Sequence, residues 1–263
     1  MLNTIWLKKI SLVTAFGAVM SLSMTASAAD TLPSAKELRD VLKSTVGSDN
    51  GGLEFDMWAT VVDRDGVVKA VVFSGKDRGW QWPGSRVISA QKANTANAFS
   101  LPDFALSSAN LYTATQPGKT LFGLQESNPV DVSVAYGGNS ADYGTDKDFM
   151  VGKKIGGINV FGGGLPLYNS KGELIGALGV SGDTSCADHN IAWKVRHTLE
   201  LDYVPAGVAR IRGKEHLSND NIVYDDVDWA HPECSDKARE VAELFYTTRP
   251  TRKSPIIRPV RKP

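Results

Sequence analysis

The sequence contains few of the side chains that usually bind metals, with two cysteines and four histidines among 263 residues. No CxxC or HExxH motif occurs, which excludes the common spacings of zinc sites. The glycines at 162–164 lack the spacing of a dinucleotide fingerprint, and residues 179–182 lack the nucleophile elbow of α/β-hydrolases. The acidic residues are scattered, and the sequence places no two of them on the same face of a predicted helix or strand. Sequence motifs therefore identify no reaction.

Net charge is also absent, because 29 basic side chains balance 29 acidic ones. A chain without an excess of either sign has no general attraction to nucleic acid, so we do not expect nucleic acid as a partner. Basic residues gather only near the C-terminus, where residues 249–263 also contain four prolines. This composition predicts an extended, solvated tail.

The N-terminus has the organisation of a secretory signal peptide. Lys8 and Lys9 precede an apolar run at residues 10–24, and the small residues 26–28 follow it. This order predicts a signal peptide over residues 1–28 that is cleaved after Ala28. The apolar run is too short for a comfortable membrane span, so we expect no span after cleavage. The mature protein of 263 − 28 = 235 residues would be periplasmic or secreted.

Both cysteines, Cys186 and Cys234, follow the predicted signal peptide. Exported proteins fold in oxidising compartments, which favours a disulfide between these two residues. The bond would join the C-terminal part of the chain to the helix predicted after Gly182. The alternative interpretation is that Cys186 is a free thiol near a binding site.

Apolar periodicity and turn signals predict an α+β protein. Its main domain would occupy residues 29–202, and residues 203–263 would form a C-terminal extension with a short helix and the basic, proline-rich tail. Helices are predicted at residues 34–46, 85–99, 106–112 and 235–246, and strands at residues 57–62, 67–73, 156–168 and 174–180. Gly66 and Gly172 predict two β-hairpin turns. Segment 116–154 shows little periodicity and is predicted to be a long loop, and segment 202–228 is predicted to be rich in loops.

The glycine-rich segment 155–193 is the strongest candidate for a site. A strand ends at residues 179–182, and a helix to residue 199 begins directly after it. Asp183, Thr184 or Ser185 would cap this helix. A glycine turn followed by a helix N-terminus can hold an anionic group. Because glycine weakens strands, something must approach this backbone closely, either a packed helix or a ligand.

One histidine and two tryptophans are candidates for chemistry near this segment. His189 lies in the first turns of the helix, and its imidazole nitrogen is a candidate ligand for iron or another metal. The alternative interpretation is a surface histidine near a helix start. Trp80 and Trp82 lie in an irregular loop, where they either bind a flat ligand or fill part of the hydrophobic core.

Four segments in order resemble the GlcG/HbpS family of heme-binding-protein-like domains. They are residues 61–66, 89–99, 161–167 and 175–182, and the resemblance extends over residues 34–199. It implies a profilin-like α/β/α layering around a five-stranded antiparallel sheet, and a tendency to form homo-oligomers. It also implies non-covalent binding of heme, or of a corrinoid in one branch, although some members bind no heme.

Heme binding would give the candidate residues specific roles, and the role of His189 rests on imidazole chemistry and not on the resemblance. Trp80, Trp82 and Phe161 would line an apolar slot, and His189 would ligate the iron. Lys92 or the amides of the glycine turn would bind the propionates. The predicted cofactor-binding residues are His189, Lys92, Trp80, Trp82, Phe161, Gly163, Gly164, Gly182, Asp183 and Thr184. Two alternatives remain open: an enzyme or sensor that binds a small carboxylate in the same cleft, and an accessory or assembly protein without a ligand.

Overall fold

A computed structural model describes the fold over residues 30–211 and 214–255. The predicted signal peptide and residues 256–263 of the predicted tail lie outside the described residues. The helices are α1 (Ala35–Val46), α2 (Ser85–Phe99), α3 (Val132–Ala135), α4 (Ser185–Thr198) and α5 (Asp236–Thr248). The strands are β1 (Trp58–Asp63), β2 (Val68–Phe73), β3 (Gly164–Tyr168), β4 (Leu174–Ser181), β5 (Ala209–Ile211) and β6 (Lys214–Asn219).

The main sheet is antiparallel, and its strands lie in the order β2-β1-β4-β3. The prediction of five strands is not confirmed: the described sheet has four, and β5 and β6 form a separate pair. The strand predicted to begin at residue 156 begins only at Gly164. Gly156, Gly157 and Gly163 adopt φ values of 62°, 80° and 121°, which turn the chain away from a strand conformation.

Helices cover both faces of this sheet, as the predicted layering requires. On one face, Leu38 and Leu42 of α1 and Trp193 of α4 pack with apolar side chains of all four strands. On the other face, Val87 and Ala90 of α2 belong to a second cluster of buried residues. Each strand thus contributes to a core on one or both sides, which explains why the strands are rich in buried apolar residues.

Local signals predicted several caps and turns correctly. Ser34 caps α1, and its hydroxyl accepts a hydrogen bond from the Glu37 amide at 3.2 Å. Gly66 and Gly172 adopt φ values of 77° and 75° in the two hairpin turns. Thr184, one of the three candidate caps, accepts a hydrogen bond from the Ala187 amide at the start of α4. These features depend on neighbouring residues alone.

Close packing between helices and strands accounts for the dense glycines. A Cβ atom on Gly179 would lie 1.9 Å from the Ser89 carbonyl oxygen of α2. A Cβ atom on Gly164 would lie 2.3 Å from the Lys92 carbonyl oxygen, also of α2. These distances are far below van der Waals contact, so only glycine lets α2 approach the strands this closely. The packing interpretation therefore explains these positions without a ligand.

One prediction of local structure is wrong. The helix predicted at residues 106–112 is replaced by short 3-10 turns at Ser108–Leu111 and Thr113–Thr115. The Asn110 side chain accepts hydrogen bonds from the amide and the hydroxyl of Ser107, which favours a single tight turn there. Segment 202–228, predicted to be rich in loops, also contains β5 and β6, which pair antiparallel.

The predicted loop at residues 116–154 is irregular but packed. It contains only α3 and a 3-10 turn at Ser140–Asp142 as helical structure. Met150 is fully buried against the α2 side of the sheet. The Arg86 guanidinium of α2 binds the buried Asp148 carboxylate, with Nε 2.8 Å from Oδ2. This segment therefore belongs to the folded core.

The C-terminal extension packs against α4. The rings of Trp193 and Phe245 stack with centroids 5.7 Å apart and planes 4° from parallel. The predicted disulfide is confirmed: Cys186 and Cys234 are bonded, with Cα atoms 6.0 Å apart. The Trp193 indole also donates to the Arg249 carbonyl at 3.0 Å, so the beginning of the predicted tail is folded onto the domain. Within residues 30–211 and 214–255, no helix has the length and apolar character needed to cross a membrane.

Candidate functional site

Strand register brings the predicted site segments to one end of the sheet. Trp58 pairs with both Phe73 and Ser181, so the chain after β2, the chain before β1 and the glycine turn after β4 lie together. Gly164 pairs with Gly179, which places the residues before β3 at the same end. The loop that carries the predicted tryptophans, the turn at 182–184 and Phe161 therefore share this end of the sheet.

An internal carboxylate already occupies the anion position of the glycine turn. The amides of Gly182 and Asp183 donate to Asp188 Oδ1 at 3.1 and 2.9 Å. Lys92 Nζ lies 2.6 Å from Asp188 Oδ2, and the Lys92 side chain is 2% exposed. Burial raises the pKa of Asp188 to about 6, and the Lys92 ammonium opposes that rise. These amides and Lys92 therefore have internal partners, and their predicted contact with propionates stays a prediction.

Asp183 holds the segment that leads into β1. Its carboxylate accepts hydrogen bonds from the Leu53 amide at 2.8 Å and from the Phe55 amide at 3.2 Å. It also accepts from the amide of Thr184, whose hydroxyl caps α4. The Thr184 amide, the last backbone donor of the turn at residues 182–184, is thus also hydrogen-bonded within the protein.

His189 is enclosed between α4 and the C-terminal extension. Its exposed fraction is 0%, which does not fit the surface-histidine interpretation. Nε2 lies 3.0 Å from the Ile222 amide nitrogen and 3.2 Å from Asn221 Oδ1. Nδ1 has no hydrogen-bond partner among the described residues. Burial lowers the pKa of His189 to about 3, so the ring is neutral at physiological pH.

The predicted aromatic residues are exposed but form two separate groups of contacts. Trp80 and Trp82 are 57% and 51% exposed, and the Trp82 ring meets Phe55 edge-on at 5.2 Å. Phe161 is 45% exposed and instead lies beside Tyr112, with ring centroids 5.8 Å apart. The apolar surface suits the face of a planar macrocycle. Lys92 and His189, the polar residues predicted to bind the same ligand, are buried.

Gly163 and Gly164 lie behind this surface and not on it. A Cβ atom on Gly163 would lie 2.3 Å from the Val180 carbonyl oxygen and 3.2 Å from Lys92 Cδ. Together with the enclosed His189, this arrangement gives only a partial fit to heme. The aromatic faces are exposed, whereas the His189 ring is fully buried and its Nε2 atom is already within hydrogen-bond distance of Asn221 and Ile222.

A groove in the C-terminal extension was not predicted from the sequence. It has a volume of about 440 Å³ and lies between residues 221–225 and α5. The residues that line it are Arg210, Asn221, Ile222, Val223, Tyr224, Asp225, Arg239, Ala242, Glu243 and Tyr246. Residues 210 and 221–225 come from a segment without a motif or clear periodicity, and the helix predicted at residues 235–246 carried no signal of a binding site.

The disulfide also lies close to a histidine. The ligand atoms of Cys186, Cys234 and His231 are all within 4.8 Å of one another. Because both sulfur atoms are used in the disulfide, this group offers no thiolate to a metal. His231 Nε2 accepts a hydrogen bond from the Gly162 amide at 3.2 Å, so its role in the fold is to tie the extension to the chain before β3.

The chain was compared with curated proteins, with solved structures and with protein-family models. A search of curated proteins gave no significant match. A Klebsiella pneumoniae protein, ORFY of the DUF336 family, is 23% identical, with a TM-score of 0.44 over 68% of this chain and 97% of that chain. The structure of a PduOC–heme complex is 22% identical, with a TM-score of 0.42 over 61% and 88%. A structure of HbpS is 18% identical, with a TM-score of 0.41 over 71% and 99%.

The sequence itself matches one family model. That model, described as "Haem degrading protein HbpS-like", aligns with residues 31–196. The match runs from the start of α1 almost to the end of α4 and includes all four strands of the main sheet. Because it covers more than half of the chain, the protein belongs to the HbpS-like family.

Proposed function

We propose that this protein is exported and binds heme, or a related tetrapyrrole, without a covalent bond, for uptake, storage or sensing. The family match over residues 31–196 carries the proposal, because the family description names haem. The charged start, apolar run and small-residue site in residues 1–28 support export. The disulfide between Cys186 and Cys234 agrees with an oxidising compartment.

Exposed aromatic side chains support an apolar ligand at the surface. Trp80 and Trp82 each expose more than half of their surface at the glycine-turn end of the sheet. Lys76 Nζ lies 4.6 Å from the centroid of the Trp80 ring, so a cation accompanies the aromatic face. An amphipathic disc such as heme presents an apolar face and anionic propionates, which match this combination.

The alternative of a small carboxylate in the glycine-lined cleft has less support. The donors that such a ligand needs, the amides at 182 and 183 and Lys92, are occupied by Asp188. A carboxylate ligand would have to displace a buried side chain that already makes these bonds. The described residues therefore leave a small organic acid without free donors in this cleft.

Assembly into homo-oligomers is a second candidate function, and exposed apolar residues on the packed loop favour it. Phe122, Val132 and Tyr136 are each 64% exposed on the segment between residues 116 and 154. Large apolar side chains that remain in water often mark protein contacts. We propose this surface as the self-association face, which is compatible with heme binding elsewhere in the chain.

Thermal unfolding with different ligands tests the proposed function. Circular dichroism of the exported protein would follow unfolding alone, with a tenfold excess of hemin, and with a series of small organic acids. We expect hemin to raise Tm, since a ligand bound only by the folded state stabilises it by mass action. The organic acids should leave Tm unchanged. A rise in Tm with an organic acid and none with hemin would contradict the proposal.

A further inference from the structure

The disulfide joins one buried cysteine to one exposed cysteine. Cys186 lies in the first turn of α4 and has an exposed fraction of 0%. Cys234 lies just before α5 and is exposed. Thiol–disulfide exchange begins when a thiolate approaches one sulfur atom directly, so its rate depends on access to that atom. A thiolate from another molecule would therefore attack Cys234 and not Cys186.

The first turn of α4 directs a backbone donor at the exposed sulfur. The Cys186 amide donates to Cys234 Sγ at 3.3 Å, and the Ser185 hydroxyl lies 3.7 Å from the same sulfur. Amides at a helix N-terminus carry partial positive charge, and cysteines in this position are stabilised as thiolates. The Cys234 sulfur thus already has the hydrogen bond that would stabilise its anion when the disulfide opens.

The buried sulfur also has polar neighbours. Cys186 Sγ lies 3.5 Å from the Pro232 carbonyl oxygen and 4.0 Å from His231 Nδ1. Because His231 Nε2 accepts the Gly162 amide, the proton of the neutral ring is on Nδ1, on the side of the sulfur. A Cys186 thiol would donate to the Pro232 carbonyl. Both cysteines therefore have hydrogen-bond partners in the reduced form, without a change in the surrounding fold.

Other contacts hold the C-terminal extension on α4 independently of the disulfide. Trp193 of α4 stacks on Phe245 of α5, with ring centroids 5.7 Å apart. Arg196 of α4 pairs with Asp220 of the extension, and both side chains are fully buried. None of these four residues depends on a bond between the sulfur atoms for its own contacts. The disulfide can therefore open and close while the protein stays folded.

We propose that the Cys186–Cys234 bond is a thiol-exchange site, that its substrate is a dithiol, and that Cys234 is the sulfur attacked. A thiolate of the dithiol forms a bond to Cys234 Sγ, the bond between the two cysteines breaks, and its electron pair goes to Cys186 Sγ. The second thiol of the dithiol then displaces Cys234, which leaves as a thiolate beside the Cys186 amide. The two cysteines take up the two protons of the dithiol, which is oxidised to its disulfide while the protein disulfide is reduced. This reaction is independent of heme binding.

The first test adds dithiothreitol, a dithiol, to the folded protein without residues 1–28 and counts free thiols with Ellman's reagent. We expect two thiols per chain to appear while near-ultraviolet circular dichroism keeps the signal of packed tryptophans such as Trp193. If thiols appear only after urea has unfolded the protein, the disulfide is purely structural and the proposal is overturned. Loss of the circular dichroism signal together with the disulfide would overturn it as well, since exchange would then require unfolding.

Two matched variants test which sulfur is attacked. Cys186→Ala leaves only Cys234, and Cys234→Ala leaves only Cys186. Oxidised glutathione is added to each folded variant, and mass spectrometry follows the mixed disulfide. We expect Cys186→Ala to react at least about a hundredfold faster, because Cys186 is buried in the other variant. In urea, which exposes both thiols, the two rates should converge. Equal rates in the folded variants, or faster reaction of Cys234→Ala, would contradict the assignment of Cys234.

Discussion

Replacing Asp220 by alanine is expected to lower the free energy of unfolding by about 3–5 kcal/mol, the usual cost of leaving one partner of a buried ion pair alone. Arg196 Nη1 lies 2.6 Å from Asp220 Oδ2, and Nη2 lies 2.8 Å from Oδ1. Both side chains are fully buried, so water does not replace the lost carboxylate. Urea denaturation of wild type and variant measures the difference.

A control and a rescue separate the ion pair from a general effect of mutation. Asp40→Ala removes an exposed pair with Lys36 on α1 and should leave the urea midpoint unchanged. The double variant Arg196→Met with Asp220→Leu should recover much of the loss, since it removes both charges together. If Asp220→Ala unfolds at the same urea concentration as wild type, the pair does not anchor the extension to α4.

Acid is expected to destabilise the protein as the pH falls from about 6.5 to about 4. Burial lowers the pKa of His189 to about 3 and of His231 to about 4. In this range the unfolded chain binds protons that the folded state does not, so stability decreases as the pH decreases. Each pKa unit corresponds to about 1.4 kcal/mol, and two histidines together represent several kcal/mol.

Asp188 acts in the opposite direction and limits the net loss. Its folded-state pKa is about 6, above the ordinary value of 3.8, so the folded state takes up this proton first as the pH falls. The stability that Asp188 adds on acidification offsets about the loss from one of the two histidines, so a net loss of stability remains. Urea midpoints measured from pH 7 to pH 4 test the sum. His231→Gln should flatten the profile; an unchanged slope would mean that His231 is not buried and neutral.

Short-range signals in the sequence predicted much of the fold. The cap at Ser34, the hairpin turns at Gly66 and Gly172 and the start of α4 at Thr184 all depend on residues within one turn. The disulfide followed from the compartment and from the presence of only two cysteines. The 3-10 turns near Asn110 were missed because a side chain competes with the helical backbone there, and periodicity does not reveal that competition.

The internal contacts that occupy the polar groups of the site were not predictable from the sequence, because they join segments that are far apart along the chain. Lys92 and Asp188 are 96 residues apart, and the Ile222 amide meets a histidine 33 residues earlier. Glycine density alone left both helix packing and ligand binding open, with packing slightly favoured. The close approach of the α2 backbone to Gly179 favours the packing interpretation, and this approach is visible only in the folded structure.

The C-terminal extension gives this member of the family a surface of its own. It is joined to the matched region by the disulfide, the stacked rings of Trp193 and Phe245, and the buried pair of Arg196 and Asp220. These contacts bury His189 and form the groove beside α5. The extension therefore closes the side of α4 on which His189 lies.

A hemin titration of the wild-type protein without residues 1–28, followed by Soret absorbance, tests the central claim most directly. We predict a saturable band that reaches its limit at one heme per chain, with a ligated-iron spectrum that differs from that of free hemin. Weak absorbance that rises without saturation would mean nonspecific adsorption of hemin to the protein surface. That result would contradict heme binding as the function of this protein.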